Sequence, residues 1–320
     1  MSVAGPARSR ARATAAGLVA GVVLDQLAGD PRRGHPVALF GVAAGRLEAR
    51  MWRDDRVAGV RFAAVLLAAA AALGGLLDRR SGRVSAAATM LGTWVVLGGR
   101  SLVAEAAAVD ARLRQGDLPA ARQRLTHLVG RRTDTLDEAE IARATIESVA
   151  ENTCDAVVAP LVWGAVGGLP GLLAYRAINT LDAMVGHHNP RYENFGWASA
   201  RADDVANFVP ARLTALLAAA VAPTVSGSGR AALSVAHRDG RSHPSPNSGM
   251  SEAAFAGALG IRLGGRNDYG SHVEDRPVLG SLGRAPEAAD IARASRLCRA
   301  VTAAAALTCA GIAVLRKGHR

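Results

Sequence analysis

The sequence predicts an all-α protein, multi-pass or partly re-entrant in a membrane, with large polar segments between its helices. Three observations predict it. Uncharged runs recur at 62–77, 84–99, 156–175, 213–229 and 300–315, and a spanning helix needs about 20 mostly apolar residues, with about 17 as the lower limit. These Ala-rich runs lack the polar face that a soluble surface helix shows. Alternating Val/Ile/Thr segments are few, so strand signals are weak. Hydrophobic residues make up 50% of the chain, yet mean hydropathy is only +0.15, which fits a few apolar helices with polar connections. Buried helices of a soluble bundle are the alternative for the shorter runs. No repeat or low-complexity linker divides the 320 residues, so 1–320 reads as a single α-helical membrane-associated domain.

The first element is a helix. Arg8, Arg10 and Arg12 precede the apolar stretch 13–24, but no cleavage site follows before Asp25, so the segment reads as a retained helix rather than a signal peptide. A rigid turn comes next, GlyAspProArgArgGlyHisPro, holding Asp30, Arg32, Arg33 and His35 as a candidate phosphate or substrate cradle. The runs 62–77 and 84–99 then cross and return.

A capping box is expected at Thr135, with Glu138 reaching back to it. From that start, Arg143, Glu147, Glu151 and Asp155 recur every four residues and share one helix face. Such a stripe is commonly a solvated face held by an i,i+4 salt bridge. Here it runs into the uncharged segment at Ala156, where solvation falls away, and Asn152 adds a neutral ligand. Carboxylates in that position suit Mg²⁺, which is held through one or two of them. The segment is broken at 167–171 by Gly-Gly-Leu-Pro-Gly.

Beyond the break, Arg176, Asn179 and Asp182 lie one helical turn apart. A loop follows with His187, His188, Asn189, Arg191, Tyr192 and Glu193. The adjacent histidines cannot point the same way along a helix, so Arg191 is the better anion ligand. Asp203, Asp204 and Asn207 recur at helical spacing beside Phe208, flanked by Arg201 and Arg212. The segment HRDGRSHPSPNSG (237–249) leads into a helix expected at 251–259. That would leave Asn247, Ser248 and free backbone N–H groups at a helix N-terminus, a natural anion site, with His243 on the approach. Gly260 and a GlyGlyArgAsn turn from Gly264 should end that helix.

The net charge of +11 comes almost wholly from Arg, because Lys317 is the only lysine. A P-loop and a Schiff-base lysine are thereby excluded. Phosphate must be handled by Arg, helix N-termini and a metal ion. The Arg residues are scattered and aromatic residues make up only 4%, so nucleic acid is not the expected partner. Cys154, Cys298 and Cys309 form no CxxC pair, which points to a reducing compartment without structural zinc. By role, the candidates are Glu147, Glu151 and Asp182 for catalysis, and Asp155, Asp203 and Asp204 for metal. Arg32, Arg33, His35, Asn152, Arg176, Asn179, Arg191, Asn207, His243, Asn247 and Ser248 are candidates for substrate or phosphate.

Taken in order, several segments resemble the adenosylcobinamide-phosphate synthase family of cobalamin biosynthesis, the CobD/CbiB type. They are LDQLAGDPRRGHPVALFG (24–41), GGRSLVAEA (98–106), ESVAENTCDAVVAPLVWGAVGGLPGLLAYRAINTLDAMVG (147–186), RYENFGWASARADDVANFVPARLTALL (191–217) and HPSPNSGMSEAAFAGALGIRLGG (243–265). The chain departs from the family's Gly-Arg-Asp-Thr pattern at Gly130-Arg131-Arg132-Thr133, where Asp134 is the nearest acid. It also has His187 and His188 where many relatives carry a Tyr and a basic residue.

The resemblance implies a multi-pass enzyme of the cell membrane. Such an enzyme joins an aminopropanol-type amine, its O-phosphate, to a propionate carboxyl of the corrinoid adenosylcobyric acid, with ATP activating the carboxyl and Mg²⁺ assisting. Membrane lipid and aminopropanol phosphate are then partners. No nucleotide-binding motif is readable, so ATP rests on the resemblance. A transporter or permease component for a small anionic or corrinoid substrate is the rival, since intramembrane carboxylates also mark substrate paths. Polarity concentrated in long connections favours the enzyme. One ATP-dependent site requires the loops 25–56, 110–155, 176–207 and 230–276 to share a side, with Glu147, Glu151 and Asp155 facing the same pocket as Asp182 and Asp203. The run 156–175 would then enter and return at its Gly/Pro break, each half about 10 residues or about 15 Å, and Pro210 and Pro223 would interrupt the run near Leu213 in the same way.

Overall fold

The computed structural model describes residues 6–31, 34–79, 82–187, 189–270 and 273–316. Helix dominates them, as expected. In chain order the helices are α1 (Pro6–Ala28), α2 (Pro36–Met51), α3 (Arg56–Leu77), α4 (Arg83–Val96), α5 (Gly99–Arg114), α6 (Leu118–Leu125) and α7 (Glu138–Thr153). A π-helical turn (Cys154–Val158) leads into α8 (Ala159–Val185), then α9 (Trp197–Val221), α10 (Gly229–Asp239), α11 (Ser248–Leu259) and, after two strands, α12 (Ala288–Arg316). Six helical stretches among the described residues are long and apolar enough to cross a membrane, which is compatible with a multi-pass protein. The chain forms two compact units, neither of them a continuous stretch of sequence.

The first unit comprises Met1–Gly98, Ala159–Asn207 and Ala305–Arg320. Its decisive feature is a reversal inside α8. Gly168 takes φ 66° and ψ −156°, outside any helix, a conformation that glycine adopts at little cost. A Cβ on Gly171 would lie 2.4 Å from the Trp163 carbonyl oxygen. Residues eight apart in a straight helix are about 12 Å apart, so the chain folds back on itself. Its returning arm, 169–185, packs antiparallel to α3: Gly74 abuts Pro170, and Gly59 abuts Phe195. The expected break is therefore present, but the arm is longer than expected, about 25 Å rather than about 15 Å. The polar residues after Tyr175 do not end it, because they find partners inside this unit. Phe62 and Phe195, their rings 5.1 Å apart, anchor the core at the other end. The outer face of α3 leaves Val57, Val65, Leu73 and Leu76 exposed.

The second unit comprises Gly99–Val158 and Phe208–Ala304. Helix α7 begins with a capping box, but at Asp137 and Glu140 rather than at Thr135 and Glu138. Asp137 accepts the Glu140 N–H at 2.8 Å, and Glu140 accepts the Asp137 N–H at 2.9 Å. The sequence holds both Thr-x-x-Glu and Asp-x-x-Glu. The second prevails because it sets buried Leu136 and Ile141 in the positions of a hydrophobic staple. The π-helical turn interrupts the four-residue repeat, so Asp155 leaves the α-helical register of Glu147 and Glu151.

Pro210 does not interrupt its run. Helix α9 passes through it and ends at Val221. The reversal falls at Pro223, in a 3₁₀ turn (Ala222–Val225), after which Gly229 abuts the Ala219 carbonyl. Gly260 closes α11 with φ 70°, as expected. The GlyGlyArgAsn segment is not a turn. It forms most of β1 (Leu263–Asp268), paired antiparallel with β2 (Val273–Leu279). This two-stranded hairpin, with an isolated bridge between Ile261 and Arg284, is the departure from all-α structure among the described residues.

Candidate functional site

In the second unit, the α7 stripe meets the β hairpin and the first turn of α11. Glu147 is buried and both its oxygens are committed. Oε2 accepts from Arg131 Nη2 at 2.7 Å, while Oε1 accepts from Arg143 Nη1 at 3.2 Å and from the Gly264 N–H at 2.8 Å. Arg131 and Arg143 both donate to Asn267 Oδ1, and Arg143 also donates to the carbonyls of Gly264 and Arg266. Two guanidinium groups around one carboxylate thus clamp β1 onto α7. Glu147 has no oxygen left over for substrate in this arrangement.

Glu151, one turn further, is only half-buried. Its Oε1 accepts the Ser248 hydroxyl at 2.9 Å, and no cation pairs with it among the described residues. Asn152 donates to the Ser148 carbonyl at 2.9 Å. Asn247 is buried and its Oδ1 accepts from Arg212 Nη1 at 2.9 Å. Thus Glu151, His243, Asn247 and Ser248 are gathered at the start of α11, which begins at Ser248 rather than Ser251. The expectation of free N–H groups there is corrected. Those of Asn247 and Ser248 donate to Ser245 Oγ, that of Gly249 to the Ser245 carbonyl, and those of Met250 and Ser251 to the Asn247 carbonyl. The Ser-Pro-Asn-Ser loop caps its own helix, so anion binding here falls to side chains.

Residues that sequence reasoning missed complete this cluster. Arg131 lies in the Gly-Arg-Arg-Thr segment, and its pattern was the available signal. Its neighbour Arg132 forms a bidentate pair with Asp134, at 3.1 and 2.6 Å, and holds that carboxyl below its ordinary range. Glu252 is fully buried in α11; it is the only acid in the apolar stretch 248–260, which was the signal to heed. Asn267 and Arg276 come from the hairpin, whose glycine-rich first strand gave no readable pattern.

The first unit gathers a second cluster. The Tyr175 hydroxyl donates to Asn207 Oδ1 at 2.9 Å, and Asn207 Nδ2 donates to Asp203 Oδ2 at 2.9 Å. Asp182 and Asn179 stand beside Asp203, and Arg176 donates to Asn179 Oδ1 at 3.2 Å. Trp163 ties the outgoing arm of the reversal to α9 through the Ala206 carbonyl at 3.0 Å. The two predicted acids Asp182 and Asp203 are therefore neighbours.

Other candidates lie apart from these clusters. Asp204 pairs with Arg201 at 3.5 Å, both partly open to solvent. Asp155 sits half-buried in the π-helical turn. His35 caps α2 by accepting the Val37 N–H on Nδ1 at 3.2 Å. Arg191 binds Glu48 at 3.1 Å and lies 5.0 Å over the Trp52 ring, which holds the loop before α9 to α2. Arg32, Arg33 and His188 lie outside the described residues. Among the described residues no three His, Cys, Asp or Glu side chains converge as a metal cage.

Fold and clusters together define a class: a helical protein with six helical stretches long and apolar enough to cross a membrane among its described residues, and with buried carboxylate, amide and Arg groups gathered in clusters. Within that class the chain belongs to the CobD/Cbib family, whose model, described as CobD/Cbib protein, matches residues 18–298. A protein of Mycobacterium tuberculosis named "Cobalamin biosynthesis protein CobD" is 50% identical over 294 residues, 92% of this chain and 94% of its own length. Proteins of the same name from Geobacter metallireducens and Rhodobacter capsulatus are 48% identical over 270 residues and 43% identical over 312. These cover 81% and 94% of this chain, and 84% and 98% of their own lengths. No solved structure matches the chain.

Proposed function

We propose that this protein is a membrane-embedded adenosylcobinamide-phosphate synthase, forming an amide between a propionate carboxyl of adenosylcobyric acid and aminopropanol O-phosphate at the expense of ATP. Family membership and the names of its relatives support a role in cobalamin biosynthesis. The observation that carries the finer reading is a coincidence of place. Segments bearing the resemblance carry buried polar atoms without hydrogen-bond partners, Ser199 Oγ and Asp203 Oδ1 in 191–217 and His243 Nε2 and Ser251 Oγ in 243–265. Polar groups left unbonded in a protein interior point to a ligand or ordered water.

An amide does not form from a carboxylate and an ammonium at neutral pH without activation of the acyl group. An acyl phosphate needs cationic groups to offset charge on the transferring phosphoryl group. The chain has one lysine against many Arg, so guanidinium groups carry that duty; Arg212, fixed by Asn247, and Arg176, near Asn179, are the ones set beside the clusters. Mg²⁺ fits the first unit, where Asp203 keeps a buried oxygen with no hydrogen-bond partner and Asp182 lies next to it. Asp182 and Asp203 would hold it, with Asn179 as a neutral oxygen donor. The ion would supply positive charge against the phosphoryl oxygens. Glu151 is assigned to the amine, since it is an accessible carboxylate without a counter-ion. The test is purification in detergent and incubation with adenosylcobyric acid, aminopropanol phosphate, ATP and Mg²⁺, with mass spectrometry of the corrinoid. Failure to find an amidated corrinoid, with folded protein recovered, overturns the reading.

A further inference from the structure

Two arginines of the second unit stand together with no carboxylate between them. Arg212, on α9, is held from three sides. Its Nη1 donates to the Phe208 carbonyl at 3.0 Å and to Asn247 Oδ1 at 2.9 Å, and its guanidinium lies 3.7 Å over the Phe208 ring. Arg241, in the loop between α10 and α11, lies near enough to repel it. Among the described residues no carboxylate pairs with either guanidinium. By contrast Arg131, Arg143 and Arg276, in the same unit, each pair with a Glu. Two like charges held close repel, and an anion set between them removes that cost. A guanidinium is the side chain best shaped to bind a phosphate through two parallel hydrogen bonds.

The pair is tied to Glu151 by two routes. Asn247 holds Arg212, and the next residue, Ser248, donates its hydroxyl to Glu151 at 2.9 Å. Consecutive Cα atoms are about 3.8 Å apart, so neighbouring positions of one loop hold groups of opposite charge. Arg212 also lies close to Cys154, in the π-helical turn that continues α7 just past Glu151. The result is a pocket wall with cations at one end and a half-buried, unpaired carboxylate at the other. A small molecule with a phosphate at one end and an ammonium at the other has the complementary charges. Aminopropanol phosphate is such a molecule, its nitrogen and phosphorus being only a few bonds apart.

We propose that Arg212 and Arg241 form the subsite for the amine substrate's own phosphate, with Glu151 receiving its ammonium group. The inference rests on the amide-forming reading above. It narrows that reading, because it leaves Arg176 for the transferring phosphoryl group. No bond to the amine's phosphate forms or breaks in the ligation, so the two arginines act by binding and orienting. They select the phosphorylated amine, and they aim its nitrogen at Glu151. Loss of a contact made equally in the ground and transition states raises KM and leaves kcat in place.

The experiment uses the full chain in nanodiscs with adenosylcobyric acid, ATP, Mg²⁺ and aminopropanol phosphate. Propyl phosphate, which has the phosphate without the amine, is the competitor. R241A changes an exposed loop residue with no hydrogen bond to lose among the described residues, so it should fold as the parent protein does. It is expected to raise the KM of aminopropanol phosphate and the Ki of propyl phosphate by about tenfold or more each. Its kcat and its KM for ATP should stay close to those of the parent. R241K, which keeps the charge, should recover part of the loss. E151Q should lower kcat and leave the Ki of propyl phosphate in place. An unchanged KM and Ki in R241A, or a rise in the KM of ATP in place of the amine's, overturns the proposal. If the parent protein makes no amide, the ligation reading falls instead, and calorimetric titration with propyl phosphate judges the subsite alone. Tighter binding to the parent than to R241A upholds a phosphate subsite, and equal binding or none overturns it.

Discussion

Ser248 gives its hydroxyl hydrogen to Glu151 at 2.9 Å, joining the first turn of α11 to α7 across 97 positions of sequence. This bond holds the half-exposed carboxylate of the stripe in place while the fully buried Glu147 anchors the hairpin. The two acids, one turn apart and alike in sequence, thus have different work. Glu151→Gln should lower turnover by at least about 100-fold with unchanged expression and elution. Ser248→Ala removes one hydrogen bond to a charged group, worth about 1.5–3 kcal/mol, and should lower turnover by about tenfold or more. Near-normal rates in Glu151→Gln would leave the residue a hydrogen-bond partner of Ser248 without catalytic duty.

Arg131 and Glu147 form a buried ion pair at 2.7 Å, with side chains 6% and 8% exposed. Removing Arg131 leaves Glu147 held by Arg143 and the Gly264 N–H alone, so the loss is bounded by the about 3–5 kcal/mol of a fully stranded buried charge. Arg131→Met should destabilise the protein by up to about that amount, while Arg131→Met with Glu147→Gln should recover much of it. Thermal denaturation of the four proteins of this cycle in detergent reads the coupling directly. Additive losses would mean that the clamp is not an interacting pair.

The helical architecture was legible because hydrocarbon-compatible runs and glycine breaks are local signals. The α8 reversal could be placed at 167–171 from Gly and Pro alone, and the acid segments could be named from their spacing. Partnership was not legible. Nothing in the repeat of Arg143, Glu147 and Glu151 says that Gly264 and Asn267 will take up Glu147 while Ser248 takes up Glu151, since those contacts link distant parts of the sequence. The capping box slipped by two residues for a related reason: two acceptable boxes overlap, and burial of Leu136 and Ile141 decides between them. The β hairpin escaped because Leu-Gly-Gly-Arg-Asn-Asp has the composition of a turn.

Gly171 and Gly167 offer a paired test of the reversal. A Cβ at Gly171 would meet the Trp163 carbonyl at 2.4 Å, whereas one at Gly167 would meet nothing within 4 Å. Gly171→Ala should destabilise by about 1–3 kcal/mol through overpacking, and Gly167→Ala should be close to neutral. Equal melting temperatures for the two variants would show that the arms do not pack as described.

Stability should depend on pH through Glu252. Its carboxyl binds protons more firmly folded than unfolded, because burial and then Glu147 and Glu151 raise its proton affinity well above the ordinary value of 4.5. The stabilisation it gives is complete below that ordinary value and is lost as pH rises toward the higher folded value. The melting temperature of the parent protein should therefore fall with pH above about 4.5, and Glu252→Gln, which cannot ionise, should flatten the fall. A slope unchanged by the substitution would mean that Glu252 does not titrate differently on folding.

The reversal also predicts membrane sidedness within the first unit. Gly74 and Pro170 pack together at one end of α3, and Gly59 and Phe195 at the other, about 22 Å of helix apart. The 22-residue span of α3 covers about 33 Å, close to a bilayer core of about 30 Å, so its two ends must face opposite sides if it crosses. Asp54 accepts from Asn194 Nδ2 at 2.9 Å, which fixes the loop before α9 at the start of α3. In a background without native cysteines, single cysteines at Arg53 and Glu193, both exposed, should react with an impermeant maleimide from the same side. A cysteine at Gly167 should react from the other side. Ser199 is 1% exposed and is unsuited to such labelling. Labelling of Gly167 from the same side as Arg53 would mean that α3 and the returning arm do not cross.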